Sequence, residues 1–90
     1  MDVANRIRAK LTEALAPVRL EIVDDSHRHK GHAGHDPRGE SHFSVTVVSE
    51  AFRGKSRVER HRQVNALLAE ELRERVHALA LRTLTPDEAA

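Results

Sequence analysis

His42-Phe43-Ser44-Val45-Thr46-Val47-Val48, then Ser56-Arg57-Val58-Glu59, then Val76-His77-Ala78-Leu79-Ala80-Leu81-Arg82-Thr83-Leu84: these three pieces decide the fold. In the first, Phe43, Val45 and Val47 share one face and His42, Ser44 and Thr46 the other, the period of a half-buried strand. In the second, Ser56 is placed to cap a helix over 56–73, in which Val58, Val64, Leu67, Leu68 and Leu72 hold helical spacing. The third piece alternates again, with His77, Leu79 and Leu81 on one face. Strand, helix, strand is a crossover unit, so the second and third strands of the chain are expected to run parallel.

Working outward, Val18, Leu20 and Ile22 alternate with Arg19 and Glu21 before Asp24-Asp25-Ser26 breaks the pattern, giving a first strand antiparallel to the second. Upstream, Asp2 precedes Val3, Ile7, Leu11 and Leu15, four apolar residues at intervals of four, so a one-sided helix over 3–15 is expected, ended by Pro17. Downstream, Thr85-Pro86-Asp87-Glu88 has the form of a capping box with proline at the first helical position. The expectation is a single α/β domain over residues 1–90, in the order helix, strand, strand, helix, strand, with a three-stranded mixed sheet. Between the first two strands, residues 27–41 carry Gly31, Gly34, Pro37 and Gly39 and nothing aliphatic larger than Ala33, which reads as a long flexible loop. The end of the first strand and the starts of the other two fall at one end of the sheet. His29, His42 and His77 are thereby directed to one rim.

Composition limits the chemistry. Val, Leu, Ile and Phe make up about 24% of the 90 residues, above the ~20% below which chains tend to stay disordered. The charged fraction is high at 32%, yet the formal net charge is only +1, so any electrostatic argument has to be local. No apolar run approaches the ~18 residues of a membrane span, and no basic-then-apolar segment opens the sequence, so a cytoplasmic chain with no membrane partner is expected. With no cysteine there is no thiolate nucleophile and no thiolate metal site, and the seven histidines become the candidate ligands. No catalytic constellation is present: Asp25-Ser26-His27 is local turn chemistry, and Gly54-Lys55-Ser56 lacks the first glycine of a phosphate loop. The chain is expected not to be an enzyme.

Two clusters remain. His27, His29, His32 and His35 crowd the loop, either as solvated residues or as imidazoles for a borderline divalent metal. His77, beside Leu79 and Leu81, is either a half-buried histidine bonded to backbone or a ligand. From Arg53 to Arg62, Arg53, Lys55, Arg57, Arg60 and Arg62 stand against Glu59 alone, a local charge of +4 with His61 neutral. That face is either simply solvated or a patch for phosphates. With only Phe43 and Phe52 as aromatics, base stacking cannot support single-strand binding.

These segments resemble the BolA-like proteins. The resemblance runs from about Val18 to Pro86 through Asp24-Asp25-Ser26-His27-Arg28-His29, Gly39-Glu40-Ser41-His42-Phe43, Val48-Ser49-Glu50-Ala51-Phe52-Arg53-Gly54-Lys55-Ser56, Arg60-His61-Arg62 and Val76-His77-Ala78-Leu79-Ala80-Leu81. It implies a KH-like domain of class II topology with helices on one face of the sheet. It implies partnership with a monothiol glutaredoxin in [2Fe-2S] cluster assembly, trafficking or sensing, the cluster being shared with glutaredoxin and glutathione and absent from the isolated chain. His77 then matches the histidine at the start of the last strand and His29 the loop ligand, with His27, His32 and His35 as loop alternatives. For bacterial members the resemblance also implies DNA-binding transcription regulation, which would fall to Arg53, Lys55, Arg57, Arg60 and Arg62. Alone, the chain is expected to be a monomer or weak homodimer.

Overall fold

The computed structural model describes residues 2–25 and 42–90. Helix α1 spans Val3–Leu15, β1 Arg19–Asp24, β2 His42–Val48, α2 Arg57–Leu67, α3 Ala69–Glu74, β3 Ala78–Leu84 and α4 Pro86–Ala89, with a 3-10 turn at Glu50–Phe52. The sheet order is β1-β2-β3. β1 and β2 pair antiparallel with Asp24 opposite Phe43, and β2 and β3 pair parallel with His42 opposite Ala78. The small α/β domain with a mixed three-stranded sheet is therefore as expected, and so is the common rim.

Local sequence explains most element ends. Asp2 accepts a hydrogen bond from the Asn5 N–H at 2.8 Å and starts α1, as an N-cap carboxylate should. Ala16, in the left-handed region at φ 43, ends it, and Pro17 prevents continuation. Gly54 at φ 80 turns the chain between the 3-10 turn and α2. Ser56 and Glu59 then cap α2 reciprocally, and Thr85 and Glu88 do the same for α4.

The core lies between one face of the sheet and the helices. Val3, Ile7, Leu11 and Leu15 of α1 meet Phe43, Val45 and Val47 of β2, with Phe52, Val64, Leu68 and Val76 closing the cluster. Burying each of the two phenylalanines contributes roughly 1.5–3 kcal/mol. The opposite face carries Glu21, Ser44, Thr46, Ala80 and Arg82, all at least partly exposed.

The structure corrects four details. The helix expected over 56–73 is interrupted at Leu68, whose φ −104 and ψ 15 leave helical geometry and divide α2 from α3. No glycine or proline marks the place; buried Leu68 and Glu71 face the core together across the break. β3 begins at Ala78 rather than Val76, because the Val76 N–H is turned back to the Glu71 carbonyl at 2.8 Å instead of joining the sheet. Val58 is exposed, since six residues at about 100° each put it roughly 120° round the helix from Val64. Val18 precedes β1 and is also exposed. The loop of residues 27–41 lies outside the described residues.

Candidate functional site

The rim at the start of β2 and β3 is built by backbone. The Asp25 N–H donates to the His42 carbonyl at 2.7 Å, which ties the end of β1 to the first residue of β2. The Ser44 hydroxyl donates to the Asp25 carboxylate and fixes the corner from the side-chain level. Just ahead of β3, Val76 is buried and its N–H is held by the Glu71 carbonyl, so the residue immediately before His77 is anchored at both side chain and backbone. His77 itself sits in the bend before β3 and is exposed.

His42 and His77 are thus brought together, their ring centroids 6.2 Å apart and their planes tilted by 43°. His42 is half-buried and His77 open to solvent. The sequence placed His42 on the rim without counting it as a ligand; its parallel pairing beside β3 is what makes it the imidazole next to His77. His27, His29, His32 and His35 lie outside the described residues. Among the described residues no group of three or more histidine, aspartate or glutamate side chains converges as a metal cage. A neutral imidazole nitrogen donates to a metal without adding charge, so this rim offers part of a ligand set and leaves the rest to another molecule.

The second candidate surface is the basic start of α2, and its residues do different things. Arg53 is held by Glu50 at 2.7 and 2.8 Å and by Asp87 at 2.8 Å. Lys55 donates to the Gln63 side chain at 2.9 Å. Arg60 is the most engaged: it donates to the carbonyls of Lys55 and Thr83, pairs with Glu88 at 2.7 Å and lies 5.9 Å from the centre of the Phe52 ring. Arg57 and Arg62 are exposed and form no side-chain hydrogen bond or ion pair with a described residue. The Arg60 hydrogen bond, with the Thr85 backbone N–H, holds the Glu88 carboxyl at about 2, and the Arg53 hydrogen bond draws the Glu50 carboxyl below the ordinary range.

Sequence reasoning missed the buried polar residues Ser49, Glu71, Thr83 and Thr85. Ser49 donates to the Leu15 carbonyl at 2.6 Å, and Glu71 receives Lys10 at 2.8 Å, so both tie α1 to the rest of the domain. Only the capping-box spacing announced Thr85.

Compared with known proteins, residues 11–88 match the profile of the BolA-like protein family. The chain belongs to the BolA-like protein family. This BolA-like chain is 49% identical over 88 residues to the DNA-binding transcriptional regulator BolA of Escherichia coli, covering 98% of this chain and 80% of that one. It is 52% identical over 80 residues to BolA-like protein 1 of Homo sapiens, covering 89% of this chain and 56% of the human one. The solved structure of BolA1 from Arabidopsis thaliana superposes with a TM-score of 0.90 at 46% identity, covering 100% of this chain and 98% of that chain. No helix among the described residues is long and apolar enough to cross a membrane.

Proposed function

We propose that this BolA-like chain is a non-enzymatic partner of a monothiol glutaredoxin and supplies imidazole ligands to a [2Fe-2S] cluster held jointly with that partner and glutathione. The observation that carries the reading is His77, an exposed imidazole on an anchored backbone, beside a second imidazole, in a chain with no cysteine. The donor set suits a shared cluster: soft sulfur must come from the partner, and replacing thiolates by imidazole makes a cluster less anionic and easier to reduce. His77 is the primary ligand in this reading and His29 the loop ligand, with His27, His32 and His35 as substitutes. The test is anaerobic reconstitution of monothiol glutaredoxin with glutathione, iron and sulfide, followed by visible circular dichroism with and without this chain. The chain should alter the cluster spectrum, His77→Ala should abolish the alteration, and His29→Ala should weaken it. An unaltered spectrum with the wild-type chain, or an alteration that survives His77→Ala, refutes the assignment.

A second reading has its own support, namely the exposed Arg57 and Arg62 on α2 and the name borne by the Escherichia coli relative. In it, the same chain regulates transcription by binding DNA through the basic start of α2. Phosphate contacts there would make affinity fall steeply with salt.

A further inference from the structure

We infer that Glu71 is the positioning residue of His77: its buried carboxylate sets α3 on α1, and its carbonyl sets the turn that carries the imidazole. The inference rests on the cluster reading for the use made of His77 and goes beyond it in naming what aims that side chain.

Glu71 is held at both ends. Its carboxylate has no solvent exposure and receives Lys10 of α1 at 2.8 Å. Arg6 Nη2 lies 2.8 Å from the second oxygen without the alignment of a hydrogen bond, and donates to Glu70 at 3.0 Å instead. The Glu71 carbonyl accepts from the N–H groups of Arg75 at 2.9 Å and Val76 at 2.8 Å, so both of its lone pairs are used. The chain leaves α3 with no left-handed residue, and these two bonds are what turn it. Val76 then enters the core at 4% exposure, His77 follows, and Ala78 pairs with His42. His77 thus stands between two fixed points, and Glu71 makes the first.

The choice of a carboxylate supports a directional role. Helix α3 has six residues, fewer than the ~12–15 at which an isolated helix begins to persist, and Glu71 is the only one of them fully buried. An apolar side chain there would bury area without fixing an orientation. Desolvating a carboxylate consumes much of what its partners return, so a buried ion pair adds little stability over an apolar residue and serves better to select one arrangement. Arg6 and Lys10, one turn apart on α1, fix both the rotation of α3 and its place along α1. A slip of α3 would move the Glu71 carbonyl off Val76 and carry His77 away from His42, whose ring centre is 6.2 Å distant.

The experiment separates position from stability. Glu71→Met fills the same space without direction, and Lys10 and Arg6, both partly exposed, turn to solvent. Its urea midpoint should stay close to that of the wild type. In the free full chain, amide exchange at Val76 should nevertheless rise about tenfold relative to Val45 in the central strand, and the NMR signals of the His77 ring should shift and narrow as the imidazole gains mobility. Glu71→Gln, which keeps an acceptor for Lys10, should retain most of the Val76 protection. Lys10→Met removes the same contact from a partly exposed side chain and decides the matter if Glu71→Met does not fold. An unchanged ratio of Val76 to Val45 exchange with unchanged His77 signals overturns the inference. So does protection lost evenly at both amides, which is a stability effect alone. In the glutaredoxin reconstitution, Glu71→Met should weaken the change in the cluster spectrum several-fold at equal chain concentration. An equal change overturns the positioning role and leaves the ligand reading intact. If instead the wild-type chain makes no change, the ligand reading fails, and the free-chain exchange and ring signals still decide whether Glu71 sets His77.

Discussion

Lys10 of α1 donates to the Glu71 carboxylate of α3 at 2.8 Å, and that carboxylate has no solvent exposure. Arg6, one turn earlier, stands 2.8 Å from the other oxygen. Burial alone would push the Glu71 carboxyl up, but the Lys10 hydrogen bond, a backbone hydrogen bond and the charges of Lys10 and Arg6 together bring it below its ordinary value of 4.5. A carboxyl depressed by folding stabilises the fold above its unfolded value, and that stability is lost as pH falls through the folded value. Lys10→Met should therefore cost about 1–3 kcal/mol at neutral pH, discounted from a fully buried pair because Lys10 is partly exposed and Arg6 remains. Urea denaturation at pH 7 and at about pH 3 should show the gap between variant and wild type narrowing in acid. A gap independent of pH would contradict the coupling.

Ala16 carries a side chain through the left-handed region at φ 43, where Cβ crowds the following carbonyl. Its N–H still caps α1 by donating to the Thr12 carbonyl at 3.1 Å, so the conformation is enforced by the helix end and by Pro17. Glycine at this position keeps the hydrogen bond without the steric penalty. Ala16→Gly should raise stability by roughly 0.5–1 kcal/mol, seen as a higher urea midpoint with an unchanged slope.

Glu88 joins α4 to α2 and the end of β3 through Arg60. With its carboxyl held at about 2 by Arg60 and the Thr85 backbone, the pair stays intact well into acid. Carboxyl-detected NMR titration should place Glu88 near 2 in the wild type and back toward its ordinary 4.5 in Arg60→Gln. The contribution of the pair is present above 4.5 and lost as pH falls toward 2, so Arg60→Gln should destabilise the α4 end of the chain at neutral pH, with the gap to the wild type narrowing as pH falls from 4.5 toward 2. Identical titration of Glu88 in both proteins would remove the pair from the account.

What the sequence made legible was local. The four-residue period of Val3, Ile7, Leu11 and Leu15, the alternation of Phe43, Val45 and Val47, and the capping pairs Ser56–Glu59 and Thr85–Glu88 each lie within one element, and each element is where they placed it. The rim also followed, because strand directions alone bring His42 beside His77. Glu71 was not legible, since in the sequence it is one of several acids near a helix end and its partners lie 61 and 65 positions upstream. Nor was the double use of Arg60, whose contacts with Thr83 and Glu88 cross 23 and 28 positions. Such contacts depend on how finished elements pack, and no periodicity reports them.

That internal use of Arg60 separates its behaviour from that of its neighbours in any contact with DNA. Arg57 and Arg62 project from α2 without ion pairs to described residues, so their guanidinium groups are available to phosphates at little conformational cost. Each phosphate contact contributes about 0.9 to the slope of log affinity against log salt on duplex DNA. Arg57→Ala and Arg62→Ala should therefore each reduce the slope by about one unit while leaving the unfolding midpoint nearly unchanged. Arg60 has a side chain only 11% exposed, already shared between Glu88, two carbonyls and the Phe52 ring, and it would have to abandon these to meet a phosphate. Arg60→Ala should accordingly lower the unfolding midpoint and change the salt slope little at temperatures where the variant is folded. A slope that falls by a full unit in Arg60→Ala, with stability intact, would mean that the arginine exchanges its internal partners for DNA and that the basic face acts as one unit.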